Sequence, residues 1–129
     1  MTLIGFGQEK RAEAVASYRQ AIRLDPKHVA AHFHLGNALH GDEAIACCRK
    51  AIALDPKHAE AHHGLGRTFR DLGKLDEAVA CYRKAIDLDP TSAPVFRSLG
   101  DALRRMGRVA EAQAALRKAK ELEGLAGQN

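Results

Sequence analysis

The hexapeptide Ala-Ile-x-Leu-Asp-Pro occurs three times, ending at Pro26, Pro56 and Pro90, at intervals of 30 and then 34 residues. A fourth, decayed copy, "AKELEG", ends at Gly124, another 34 residues on. Each copy is too small to bury a hydrophobic face alone and must shelter it against its neighbours. The 129 residues allow one such array. The stretch Leu35 to Pro56 matches Leu65 to Pro90 up to His40 and again from Asp42, so four residues are missing at a single place.

Each unit reads as two short helices. Ala59 to Leu72 places His62, Leu65, Gly66 and Phe69 at i, i+3, i+4 and i+7 on one face. Leu75 to Leu88 puts Ala78, Tyr82, Ala85 and Ile86 on its inner face. Asp76 and Glu77 open that helix and Arg83 and Lys84 lie nearer its end, which complements the helix dipole. Proline stops each second helix, because the residue before it is driven out of the α region. Ser92 is a candidate N-cap for the next helix, with Pro94 tolerated in the first turn. Gly36, Gly66 and Gly100 sit inside first helices at a cost of about 1 kcal/mol each. That cost predicts close approach by a second helix, with Ala44, Ala78 and Ala112 as the small residues facing them. Ala21, Ala51, Ala85 and Ala119 recur further along and point toward the following repeat. Apolar residues make up 46% and aromatics 5%, with no Trp, which suits close-packed helices better than strands.

Leu-Gly, then an apolar or aromatic residue, then Ala, Tyr, Ala and Pro on a 34-residue period resembles the tetratricopeptide repeat. In the 59–92 unit the matching positions are His62 (usually an aromatic), Leu65, Gly66, Phe69, Ala78, Tyr82, Ala85 and Pro90. The wording "HLGNALH" and "EAIACCRKAIALDP" is similar to bacterial repeats attached to O-linked N-acetylglucosamine transferase or SPINDLY-type glycosyltransferases. The resemblance implies an all-α fold, an α-α solenoid forming a right-handed superhelix of about seven helices. Residues 1–126 would then be a single array: a half repeat at 1–28, a shortened repeat at 29–58, full repeats at 59–92 and 93–126, and a tail at 127–129.

Two departures matter. The chain opens in mid-repeat: Gln8 to Leu24 reads as a second helix without its first. Its inner face (Ala14, Tyr18, Ala21) needs cover from Leu3, Ile4 and Phe6, or from another chain. The gap, in turn, removes the equivalents of Asp71, Leu72, Gly73 and Lys74, the bend between paired helices. Two outcomes are open. In one, Gly41 turns left-handed and Asp42 caps the next helix, giving a very tight hairpin. In the other, 29–54 runs as one fused helix of about 39 Å. That helix carries His32, Leu35 and Leu39 on one side and Ala44, Cys48 and Ala51 on the other, and would need a swapped homodimer to cover both.

In such an array the first helices line the concave side. Glu60, His63, Arg67 and Arg70 make one stripe there, about a third of a turn from the core stripe. Ala30, Phe33, Asn37 and His40, then Pro94, Arg97, Asp101 and Arg104, hold the same places elsewhere, with Arg105 beside the last. The partner-binding candidates are Phe33, Asn37, His63, Arg67, Arg70, Arg97, Asp101 and Arg104. The arginines suit peptide carboxylates, and Phe33 offers an exposed apolar contact. Members of the family that clamp chaperone tail peptides carry Lys and Asn, then Asn, then Lys and Arg. The corresponding residues here are Phe33 and Asn37, then Gly64, then Pro94 and Ser98. Only Asn37 matches, so that peptide class is not expected.

The formal charge of +4, diluted by acids, is too weak to argue for nucleic acid. No run approaches the ~20 apolar residues of a membrane span, and "MTLIGFGQEKR" lacks a secretion pattern. Cys47, Cys48 and Cys81 lack metal-ligand spacing and read as reduced thiols of a cytoplasmic protein. His28 with His32, and His58 with His62, have a spacing that can chelate a metal. They recur because the repeat recurs, so no metal or cofactor is expected. Neither a phosphate-cradling loop nor a nucleophile motif argues for catalysis. The expectation is a protein-interaction scaffold, not an enzyme, that binds a protein or peptide. The alternatives are the recruiting arm of a larger enzyme such as a glycosyltransferase, or a self-associating homodimer swapped through the shortened repeat.

Overall fold

Seven α-helices follow one another along residues 6–127, the part of the chain that the computed structural model describes. They are α1 (Phe6–Leu24), α2 (Val29–Ala38), α3 (Gly41–Leu54), α4 (Ala59–Asp71), α5 (Leu75–Leu88), α6 (Ala93–Arg105) and α7 (Val109–Gly127). α2 pairs with α3, α4 with α5 and α6 with α7, and the pairs stack through α3 on α4 and α5 on α6. The expected all-α solenoid therefore forms. First helices also touch one another, α2 against α4 and α4 against α6, whereas α3, α5 and α7 do not. The array bends with α2, α4 and α6 on its inner side.

A Cβ on Gly36 would lie 2.7 Å from Cys48 Sγ, one on Gly66 2.6 Å from the Tyr82 ring, and one on Gly100 2.7 Å from Leu116 Cγ. No side chain fits in those gaps. Ala44, Ala78 and Ala112 are buried as expected. The carbonyl oxygens of Ala44 and Ala112 face Gly36 and Gly100, 3.3 and 3.2 Å from the Cβ site, and the side chain one turn further along the second helix comes closer still, so the glycine admits both. Buried side chains then run without a break from Cys48 through Leu65, Tyr82 and Leu99 to Ala115. Ala51 packs with Phe33 and with Ala61 of the following unit, the inter-repeat role its recurrence implied.

The shortened unit closes as a hairpin, and the fused helix over 29–54 does not form. α2 stops at Ala38, Leu39 and His40 are extended, and Gly41 opens α3 with φ of 63°. In a straight helix the two apolar stripes would point apart; folding back brings Gly36 against Ala44 and Cys48, and Leu35, Ile45 and Cys48 are all buried. Gly41 takes the expected left-handed conformation. Asp42 is not the cap: it lies in the first turn of α3, and the cap position belongs to His40, whose side chain makes no capping bond.

α1 packs on α2, and its Arg19 reaches Glu43 of α3 at 3.6 Å. Ala14, Tyr18 and Ala21 are half-buried, and the Tyr18 ring stacks on His34 at 5.5 Å. Leu3, Ile4 and the side chain of Phe6 lie outside the described residues. At the other end, α7 runs through Gly124 to Gly127.

The turns between units are held by histidine. Nδ1 of His28 and of His58 accepts the N–H of Ala31 and of Ala61, each at 3.0 Å, a task usually given to Ser, Thr, Asp or Asn. Nε2 of His32 and of His62 bonds the carbonyl of Pro26 and of Pro56 at 2.9 and 3.1 Å. One ring nitrogen of every histidine in the two pairs is therefore committed to backbone. Ser92 holds the cap position of α6 without a side-chain bond; Asp89 instead accepts from the N–H and hydroxyl of Thr91.

Two stability measurements check this packing. The Tyr82 hydroxyl is buried without a hydrogen-bond partner, and the same repeat position holds Cys48 and Leu116, which need none. An unmet buried hydroxyl costs about 1–3 kcal/mol, so Tyr82→Phe is expected to hold or raise the urea midpoint; a clear drop would contradict the packing. His58→Ala is expected to cost about 1 kcal/mol, and His58→Asp, which keeps an acceptor, to cost less. Equal losses would mean that the imidazole acts through packing alone.

Candidate functional site

The stripe predicted on the first helices is continuous across the inner side. Arg67 Nη2 donates to Asn37 Oδ1 at 3.3 Å, joining α4 to α2. His63 Nε2 and Ser98 Oγ are 2.9 Å apart, joining α4 to α6. Asn37, Arg97 and Arg104 are exposed, while His63, Arg67, Arg70 and Asp101 are half-buried. Arg97 pairs with Glu123 of α7. Asp101 pairs with Arg104 and with Arg105, each at 3.3 Å, and Arg70 pairs with Asp71 at 3.1 Å.

Phe33 departs from expectation. It is only 6% exposed and packs between Ala51 and Ala61, its ring 5.1 Å from that of His58. The cover comes from the next helix pair, whose Ala61 and capping His58 ring lie against it, with Gly64 within ordinary contact of Phe33 Cε2. Phe33 shapes the floor of the face and offers no exposed apolar contact.

An open cavity of about 350 Å³ lies beside the shortened bend. Asn37, Arg67 and Arg70 line it together with His40, Thr68 and Asp71, over Gly36, Leu39 and Gly64. The stripe could be read from helical spacing, but the cavity could not. Its one signal in the sequence was the gap, which removes residues that would otherwise stand there.

The spatial pairing of His63 with Ser98 was also missed, and it invites a nucleophile reading. The imidazole pKa is pushed down to about 4 by burial first and by Arg67 and Arg70 second, far from what a general base needs near neutral pH. Its ring lies edge-on to Tyr82 at 5.6 Å. The pair is a link between helices. Burial likewise pushes the Cys48 and Cys81 thiols up to about 11 and raises that of Cys47, so none is an activated thiolate. An imidazole whose folded pKa lies below its unfolded value near 6.5 takes up a proton more readily once unfolded. Its stabilising contribution is thus complete above about pH 6.5 and is lost as pH falls toward 4. His63→Gln is expected to flatten that part of the stability curve in thermal melts between roughly pH 7 and pH 4. An unchanged slope would place the acid sensitivity elsewhere.

Known proteins agree with this architecture. The family model described as "TPR repeat" matches residues 6–41 and 66–107, more than half of the chain. Two models described as "Tetratricopeptide repeat" match 47–80 and 98–124. The crystal structure of MamA protein superposes with a TM-score of 0.79 at 29% identity, over 92% of this chain and 67% of that one. A MamA RS-1 ArsTM double mutant gives 0.83 at 24% identity, over 93% and 70%. Another crystal structure of MamA gives 0.66 at 21%, over 99% and 100%. At the two lower identities the likeness shows the fold alone. No curated protein sequence matches, and the narrower likeness to glycosyltransferase repeats gains no support from these names. The 34-residue period, the glycine-centred helix pairs and the matched models converge: the chain belongs to the tetratricopeptide-repeat family.

Proposed function

We propose that the chain is an interaction scaffold that holds a peptide or partner protein along the face of α2, α4 and α6, without chemistry of its own. The observation that carries this reading is the cross-linked polar face itself. Asn37–Arg67 and His63–Ser98 bonds join three helices side by side, and Arg67, Arg70, Arg97 and Arg104 stand on that support. A face fixed before binding loses little entropy when a partner arrives. In the ion pairs of Arg97 and Arg104 the arginine side chains are more than half exposed and the carboxylates, at 43% and 29%, remain open to water, and surface pairs of this kind are worth about 0–1 kcal/mol. A partner carboxylate can replace them at little cost and gain a two-pronged, charge-assisted bond.

Asp71 and Asp101 interrupt the arginines, which favours a protein partner over a nucleic-acid backbone. No described helix is long and apolar enough to cross a membrane. The closed α2–α3 hairpin buries His32, Leu35, Ala44, Cys48 and Ala51 within one chain, so the need for a swapped homodimer that a fused helix would create does not arise from them.

A photo-crosslinking residue at Arg104, on the inner side, and another at Lys84, on α5, test the proposal in native host cells. The expected outcome is a discrete adduct from Arg104 and none from Lys84. The reverse pattern, or silence from both, would sink it. Arg97→Glu combined with Arg104→Glu is expected to weaken capture of the same partner roughly tenfold or more.

A further inference from the structure

α4 and α6 each run 13 residues, but α2 runs 10. The missing part is about 4.5 Å of helix at the C-terminal end of α2, together with the bend that should follow. By repeat position Asn37 matches Arg67, Leu39 matches Phe69 and His40 matches Arg70. Phe69 is buried, whereas Leu39 is only half-buried, because nothing covers the place where the chain was cut short. The 350 Å³ cavity occupies that place on the α4 side. Leu39 and His40 also border a second hollow, of about 510 Å³, on the α1 side. Arg11 of that hollow donates to His40 Nε2 at 3.1 Å, so the shortened bend stands as a thin wall between the two.

The cavity on the α4 side is built for charge. Gly36, Leu39 and Gly64 form its floor. Arg67 and Arg70 bring two positive charges and Asp71 one negative, for a net of one positive. Arg70 Nε and Nη2 reach Asp71 Oδ1 at 3.3 and 3.1 Å, and Arg67 is held by Asn37. These bonds fix the guanidiniums in place while leaving N–H donors over, since each has five. The positive field is already felt nearby: both arginines help to lower the pKa of His63.

We infer that the cavity left by the missing turn takes one carboxylate, carried by the segment that lies along the concave face. The inference rests on reading that face as a binding groove. One net positive charge matches a carboxylate. A phosphate, at about −1.5 to −2, would leave negative charge uncompensated beside Asp71. The planar fork of Arg also fits a carboxylate with two parallel bonds.

The test uses the whole chain labelled with ¹⁵N and three small probes: N-acetylglutamate α-amide, N-acetylalanine and inorganic phosphate. The expected result is saturable movement of the Arg67 and Arg70 Nε–H and Asn37 side-chain signals, with a dissociation constant on the order of 1–10 mM. Whichever of the first two probes acts more strongly tells whether a side-chain or a C-terminal carboxylate is read. Arg67→Ala with Arg70→Ala is expected to weaken the effect roughly tenfold or more, and Lys84→Ala, on the exposed side of α5, to leave it unchanged, with circular dichroism confirming the fold. Inserting Asp-Leu-Gly-Lys between His40 and Gly41 restores the full period and is expected to abolish the response. Absence of saturable shifts with both carboxylates, undiminished binding after the insertion, or phosphate binding as tightly as the carboxylates would each overturn the inference. Crosslinking at Arg104 that survives such a result would leave the groove standing without this cavity.

Discussion

Each helix pair is set by one contact, where a glycine in the first helix lets a side chain of the second reach its backbone. Cys48, Tyr82 and Leu116 make that contact in successive units. They differ widely in size, so the glycine defines the meeting point and the neighbour fills whatever space remains. The contact sits away from the bend, which is why a unit that has lost four residues of bend still folds back on itself. A fused helix would keep about four more backbone hydrogen bonds, each worth roughly 1 kcal/mol net. The hairpin instead buries Leu35, Ile45 and Cys48, and a large apolar side chain gains about 1.5–3 kcal/mol on burial. Burial wins, and the left-handed turn falls on a glycine that tolerates it.

From that contact the inner face follows. Pairs of fixed geometry stack with their first helices touching and their second helices apart, so residues far apart in sequence arrive side by side. Asn37 and Arg67 meet because each lies one residue beyond a glycine of this kind, Gly36 and Gly66, in adjacent units. The polar stripe is thus a by-product of the same repetition that holds the core.

Much of this was legible because the chain carries copies of itself, and comparing one unit with the next does the work of an alignment. The helices, the buried face of Leu65, Gly66 and Phe69, and the shared stripe are all local features with a helical period. What was hidden depends on pairs that no single unit contains. Phe33 looks exposed within its own helix and is buried because Ala61 and His58, at the start of the next helix pair, lie against it. His63 meets Ser98 across a unit boundary. The choice between hairpin and fused helix was closed to local reasoning, since both satisfy the residues from 29 to 54 until tertiary burial is counted. Ser92 shows the converse error: the favoured residue stands at the cap, but its hydroxyl caps nothing. Histidines do that work in the two preceding units.

The shortened repeat also gives the face a direction. At the α6 end the arginines are well hydrated, with Arg97 54% and Arg104 66% exposed, so their attraction for a partner is screened by water and salt. At the α2 end Arg70 is only 26% exposed, and a charge in partial burial acts through a lower effective dielectric. The same kind of group is therefore worth more beside the missing turn than at the far end. A segment lying along the three helices would be read most strongly where the repeat is broken. The break in the period, which costs the array a turn of helix, is what makes one end of an otherwise uniform surface different from the other.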